Sequence, residues 1–342
     1  MDIGSTSVRA VELQDASKPR PTLLRYIEAP LPEGASSRGE VLEPNTVAAT
    51  LKRLWRQAGF TSKDVVLGMG NQRVLARDLT VPKMSIRRIR ESLPFTVQDM
   101  LPVPASEAIL DFYPVSEAVS ESGPVVNGLL VAAIKEAVLA NVKATKLAGL
   151  STIDVDLIPF ALSRVLLSRQ NVSGTVALIA IGADTTCVLI ARDGVPQFVR
   201  IIPTGGADLT RALRAELELD EASAERVKIG LGLASSVASP EEQRAVEVIY
   251  RVTSEMLTSL RNTINYYVNT RQPETVDRII LTGGGAQLIG LTDALSEMTR
   301  LPVTMGDPLA GFALSRKLNV EDLRQRRGGL GVALGLAVGS AA

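Results

Sequence analysis

Asp2-Ile3-Gly4-Ser5-Thr6-Ser7 is the stretch that decides the fold. It packs an acidic residue, a glycine and three hydroxyls into one tight turn. Val8, Ala10, Val11 and Leu13 follow with the spacing of a strand. Gly182-Ala183-Asp184-Thr185-Thr186 repeats the plan far along the chain, between strand-like segments at 175–181 and 185–191. Leu281-Thr282-Gly283-Gly284-Gly285-Ala286 comes next, and Gly331-Val332-Ala333-Leu334-Gly335-Leu336-Ala337 ends the series. Glycine lets backbone N–H groups approach a phosphate without crowding, and Ser/Thr hydroxyls add donors. Either turn alone is an ordinary hairpin. As a pair they read as phosphate-gripping turns, one per lobe, and the triple glycine reads as a nucleotide-base pocket. An echo of such long period means a duplicated lobe, not a solenoid.

Composition narrows the chemistry. The 342 residues suffice for two or three domains. Lys+Arg and Asp+Glu each number 37, so no net charge draws the chain to nucleic acid or to an anionic membrane. Aromatics at 4% make a stacking surface for bases a poor expectation. With no histidine, Ser-His-Asp catalysis and histidine metal sites are excluded. The single cysteine, Cys187, rules out an intrachain disulfide, and its alternating apolar neighbours mark it as a core residue. No signal peptide or membrane-length apolar run is visible, which leads us to expect a cytoplasmic protein.

Along the chain, strands are expected at 22–27, 65–69 and 74–81, and a helix at 46–58 with Val47, Leu51 and Leu54 on one stripe. A compact helix, strand, strand, helix block then occupies 83–151, with a polar turn at 116–124. The second lobe begins at Ser173-Gly174 and includes a long amphipathic helix over about 242–270. The expected organisation is lobe 1 at 1–82, an insertion at 83–151, lobe 1 again at 152–172, lobe 2 at 173–330, and a connecting helix at 331–342. The fold class is α/β.

The combination resembles the actin/Hsp70/sugar-kinase ATPase superfamily, a two-lobed, ribonuclease H-like fold. Within it, Ile86-Arg87-Arg88-Ile89-Arg90-Glu91-Ser92-Leu93, Asp99-Met100-Leu101-Pro102, Ile109-Leu110-Asp111-Phe112 and Leu129-Leu130-Val131-Ala132-Ala133 resemble the SHS2 insertion, subdomain 1C, of the type IV pilus assembly PilM family. The cell-division FtsA family shares this topology. The resemblance covers nearly the whole chain.

It implies ATP with Mg²⁺ between the lobes. Gly4, Ser5, Thr6, Ser7, Gly182, Thr185 and Thr186 would hold phosphates. Asp2 and Asp184 would sit near the metal. Gly283, Gly284 and Gly285 would line the adenosine pocket, with Glu225 and Lys228 reaching ribose or adenine. The ordinary alternative for that last pair is a solvated i,i+3 ion pair. Asp156 is the one candidate for activating water, and hydrolysis is expected to be slow. The resemblance also implies an adaptor at the inner face of the cytoplasmic membrane. It would be held there by the N-terminal peptide of a PilN-like membrane protein and coupled to the pilus motor ATPases. It implies no nucleic acid, and membrane contact only through that partner. The rival readings are an FtsA-like anchor and a metabolite kinase. One departure stands out: only Met1 precedes Asp2. A strand normally leads into such a turn, and we expect the chain to start late.

Overall fold

The computed structural model describes residues 1–121 and 123–339. Ser122, in the expected turn at 116–124, and residues 340–342, the end of the expected connecting helix, lie outside the described residues.

In lobe 1, β1 (Asp2–Ile3) and β2 (Ser7–Gln14) flank the first turn, and β3 (Thr22–Pro30) returns beside β2. A small hairpin of β4 (Ser36–Ser37) and β5 (Glu40–Val41) leads to α1 (Pro44–Ala58) and β6 (Asp64–Met69). The insertion carries β7 (Val74–Pro82), α2 (Ile86–Thr96), β8 (Ala108–Ser120) and β9 (Gly123–Ile134). The chain returns through α3 (Lys135–Leu147), β10 (Ser151–Leu157) and α4 (Ile158–Ser163), which runs on as a π turn over Arg164–Ser168. Lobe 2 holds β11 (Thr175–Ile181), β12 (Thr186–Arg192), β13 (Val195–Ile202), α5 (Gly206–Leu217), α6 (Glu221–Leu231), α7 (Pro240–Thr270), β14 (Arg278–Thr282), α8 (Leu291–Thr299) and β15 (Val303–Met305). Then β16 (Ala313–Leu314) pairs with β3, and α9 (Val320–Gln325) and α10 (Arg327–Gly339) close the described chain.

Local chemistry accounts for the main helices. α1 has Pro44 at its start, where a missing N–H costs nothing, and ends on Gly59 at φ 63°. It buries Val47, Leu51 and Leu54. α7 is capped by the Ser239 hydroxyl, with Glu241 and Glu242 in its positive first turn. Its stripe of Met256, Leu257, Leu260, Ile264 and Tyr267 packs on the lobe 2 sheet.

The two lobes share one topology. In lobe 2 the strand order is β13-β12-β11-β14-β15, with antiparallel pairs followed by parallel ones. In lobe 1, β3-β2-β1 are antiparallel and β6-β10 parallel. The Met1 ammonium donates to Val66 O at 2.8 Å, and Gly68 N–H donates to Met1 O at 3.3 Å. Contacts on either side of Leu67 are the parallel pattern. Lobe 1 therefore reads β3-β2-β1-β6-β10, the same order and sense. The strand that leads into the first turn is short, two residues in β1 against seven in β11.

The insertion differs from its expected bounds. β7 pairs with β9 from Val74↔Ala133 to Pro82↔Val125, so it belongs to the insertion sheet, β7-β9-β8. At the other end, α3 buries Ala144 in one cluster with Leu51 and Leu54 of α1, and so belongs to lobe 1. The unit spans 74–134 instead of 83–151. A strand's partner 50 residues away, and a helix that packs backward, are not visible from adjacency along the chain. Ile134 N–H donates to Arg73 O at 2.9 Å, so the insertion leaves and re-enters lobe 1 at one point. Its own core is Val81, Ile89, Leu93, Val97, Phe112, Val126 and Leu130.

Candidate functional site

The two glycine turns are built alike. Gly4 N–H donates to Ser7 O at 2.9 Å, and Gly182 N–H donates to Thr185 O at 2.9 Å. A Cβ at either glycine would stand tight against that acceptor, at 3.1 Å for Gly4 and 3.0 Å for Gly182, closer than most Cβ contacts. The aspartates are not equivalent, however. Aligned on the glycines, Asp2 lies two residues before the turn and Asp184 two residues into it.

The turns meet between the lobes. The Ser5 hydroxyl donates to Asp184 and accepts from Gly39 N–H at 3.2 Å. Asp184 also accepts from Arg38 N–H at 3.2 Å and pairs with Arg211 at 3.0 Å. The tip between β4 and β5 thus bridges turn one to turn two. Burial pushes Asp184 up, but the hydrogen bonds from Arg211, Arg38 and Ser5 outweigh it and hold the carboxyl below its ordinary range. Asp2 behaves oppositely. It is 5% exposed, and burial raises its carboxyl despite the charge of Arg9 at 3.4 Å. The surroundings favour the charged form of Asp184 and disfavour that of Asp2.

Other predicted residues divide. Thr6 is exposed, and Thr185 is half-buried. The Ser7 hydroxyl donates to Glu28 at 2.9 Å, and that of Thr186 to Thr204 O at 2.8 Å, so both are committed within their own lobes. Gly283 has φ +95°, and a Cβ there would overlap the Ile181 carbonyl oxygen. Gly285 is pressed on Ile181 as well, while a Cβ at Gly284 would meet nothing within 4 Å. Glu225 and Lys228 do form the i,i+3 pair, at 2.7 Å, but the pair is not simply solvated. Lys228 donates to Gly206 O at 3.2 Å and to Thr210 Oγ1 at 3.0 Å, which brings its ammonium to the start of α5 beside the triple glycine.

Both carboxylate oxygens of Asp156 are already engaged. One carboxylate oxygen accepts from Leu157 N–H at 2.7 Å, and the other pairs with Arg164. Arg164 also donates to Gly335 O at 3.1 Å. The group ties β10 to α4 and α10.

Sequence reasoning missed four residues. Arg9 lies cross-strand from Asp2 and pairs with Glu28 at 2.8 Å, while its Nε is buried without a partner. The hairpin register that follows from the first turn would have found it. Gly205 and Gly206 form the turn where Gly206 N–H donates to Gly182 O at 2.9 Å. Two glycines between a strand and a helix were the signal. Thr204 Oγ1, next to them, is also buried and unpartnered. Two orphaned polar atoms, one against each turn, fit a site built for a polar group. Among the described residues no cluster of three or more carboxylate or thiol side chains could hold a metal. A Mg²⁺ ion that keeps its waters needs only one or two.

Cys187 is buried, and burial, with Asp2 nearby, pushes its thiol up to about 12. It should react with a maleimide only after unfolding. Rapid labelling of the folded protein would contradict this placement.

The family model of type IV pilus assembly protein PilM matches residues 1–341. The chain belongs to the PilM family. A solved PilM–PilN type IV pilus biogenesis complex contains a chain 28% identical, with a TM-score of 0.88 over 100% of this chain and 97% of that one. Cell division protein FtsA of Bacillus subtilis (strain 168) is 21% identical over 90% of this chain and 78% of its own. MreB 5 of Spiroplasma citri, solved bound to AMPPNP, covers 92% of this chain and 78% of its own at 11% identity and a TM-score of 0.51, a likeness of fold alone. This chain thus has the actin-like two-lobed fold expected from its glycine turns. Among the described residues no helix is long and apolar enough to cross a membrane.

Proposed function

We propose that this PilM-family chain is an ATP-binding adaptor of type IV pilus assembly. The observation that carries the nucleotide half is the convergence of Ser5 and Asp184 through the 38–39 tip, with the orphaned Arg9 Nε and Thr204 Oγ1 beside it. Gly4, Ser5, Thr6, Ser7, Gly182, Thr185 and Thr186 would supply the phosphate turns, with Arg9 as a cation for them. Gly283, Gly284, Gly285, Glu225 and Lys228 would form the adenosine side. Mg²⁺, which would neutralise phosphate charge, would be held through water by Asp184 first, with Asp2 behind it. Asp156 would keep a holding role, and hydrolysis would be slow.

The partner half draws on the PilM–PilN relative. An extended N-terminal peptide of a PilN-like membrane protein would lie between the insertion and lobe 1, adding main-chain hydrogen bonds and side-chain pockets. Large apolar side chains stand exposed on this half, at Phe95, Ile109, Leu139 and Ile153. The protein would then work in the cytoplasm, at the inner membrane through its partner, and link that platform to the motor ATPases. Calorimetry of the full chain tests both halves. Saturable binding of MgATP and of the synthetic PilN-like peptide is expected. Failure of either sinks that half, and ATP consumption that depends on a small metabolite would favour a kinase instead.

A further inference from the structure

We propose, on the two-ligand reading above, that Arg271 is a positioning residue. It clamps the insertion to lobe 2 and makes peptide affinity answer to the nucleotide.

The insertion is joined to lobe 1 by its two chain crossings, at Arg73 and Ile134. Yet β7 also lies against β13 of lobe 2. Arg271, one residue past α7, spans the gap. It pairs with Asp78 on β7 and donates to Gln197 O on β13 at 2.9 Å. Its guanidinium sits over the Tyr267 ring at 5.4 Å. Gln197 is the bulged residue of β13, left between the pairs Ile190↔Phe198 and Ala191↔Pro196, so its carbonyl is available to take this bond. The segment carrying Arg271 is itself fixed to lobe 2. Glu274 pairs with Arg192 at 2.7 Å and accepts from the Tyr267 hydroxyl. Two lobe 2 groups, the Gln197 carbonyl and the Tyr267 ring, hold the arginine, and the Asp78 carboxylate of the insertion receives it.

The same strand reaches the nucleotide turns. β13 ends at Ile202, opposite Thr186, and the chain passes directly into Gly205-Gly206. There Gly206 N–H and Ala207 N–H donate to Gly182 O and Ala183 O, at 2.9 and 2.8 Å. Gln197 and Gly205 are eight residues apart, roughly 27 Å of extended chain. Apolar packing runs alongside: Val74 and Leu129 of the insertion, Phe160 of α4 and Val199 of β13 share one core, and Tyr113 stacks on Phe160 at 4.9 Å.

Rotation of lobe 2 about the cleft would therefore drag the insertion only where it is held on both sides. Asp78 is 69% exposed, so this ion pair contributes little to stability. What it fixes is where β7 lies relative to β13. Without Arg271 only apolar packing, which tolerates sliding, would tie the insertion to lobe 2.

The test is calorimetric titration of a synthetic PilN-like N-terminal peptide into the full chain, with and without saturating Mg-AMPPNP. Wild type, Arg271→Ala, Arg271→Lys and Asp78→Ala are compared. In wild type, nucleotide should change peptide affinity by about fivefold or more, and the peptide should change nucleotide affinity by the same factor. Arg271→Ala and Asp78→Ala should bring that ratio close to one. Each ligand alone should still bind within about twofold of wild type, because neither residue belongs to either site. Arg271→Lys should restore part of the ratio. Two results overturn the clamp while leaving the two-ligand reading intact: a wild type that binds both ligands without coupling, or an Arg271→Ala chain that keeps the wild-type ratio. A wild type that fails to bind one ligand overturns the reading itself, and the clamp with it. Asp78→Ala, at an exposed position, keeps the test available if Arg271→Ala does not fold.

Discussion

Gly335→Ala will be among the most destabilising single-methyl changes in this chain, at about 3 kcal/mol or more. Gly335 lies in α10 where the helix crosses α4. A Cβ there would overlap the Ala161 carbonyl oxygen and stand 2.9 Å from Ala161 Cα. Backbone cannot swing aside as a flexible side chain can, so the helices must separate. Separation would also strain the Arg164 bond to Gly335 O, and through it Asp156. Helix propensity works the other way, since alanine is favoured over glycine by up to about 1 kcal/mol. Gly230, near the end of α6, isolates that term, because a Cβ there would meet nothing within 4 Å. Gly230→Ala should be neutral or stabilising. Urea denaturation of both variants checks the pair, and a Gly335→Ala midpoint equal to wild type would show that α4 and α10 are not in close contact in solution.

What the sequence made legible depended on how far each determinant reaches. The Gly4 and Gly182 turns are local, and they announced two lobes correctly because three or four residues define a tight hairpin. The bounds of the insertion did not follow. Val74–Pro82 reads as a strand in either setting, and only its pairing with β9 assigns it. Lys135–Leu147 is likewise a helix wherever it packs, and its burial against α1 decides its lobe. The site shows the same division. Asp184 and Ser5 were both named from sequence, but the 38–39 tip that joins them was not, since nothing in Arg38-Gly39 points to residues so far away along the chain. Asp156 was named because it is acidic and well placed in sequence. That Arg164 engages it depends on the turn of α4 that follows.

Arg9→Met will give the second large effect, and its size will depend on pH. The arginine is 23% exposed in its side chain and faces Asp2 at 7%. Removing one partner of such a pair strands the other, typically at about 3–5 kcal/mol. The sign of the pH dependence follows from two carboxyls. Burial already raises Asp2 above its ordinary 3.8, with Arg9 the largest opposing influence. Without Arg9 its folded value climbs further. The folded chain then binds more protons than the unfolded chain between 3.8 and that raised value, so stability falls as pH rises through this window. Glu28 adds to the trend. Burial pushes it up, but Arg9 and hydrogen bonds from Ser7 and Tyr26 outweigh that and hold it below its ordinary 4.5. The stability it contributes is present above 4.5 and lost as pH falls through its folded value, so losing Arg9 matters most at neutral pH. Both carboxyls make the deficit of Arg9→Met small near pH 4 and large at pH 7. Adding Asp2→Asn should recover part of the loss at pH 7, because it removes the stranded charge. Urea denaturation of wild type, Arg9→Met and the double variant at the two pH values measures this directly. A deficit independent of pH would mean that Asp2 is not the group left uncompensated, and that the cost of losing Arg9 is one of packing.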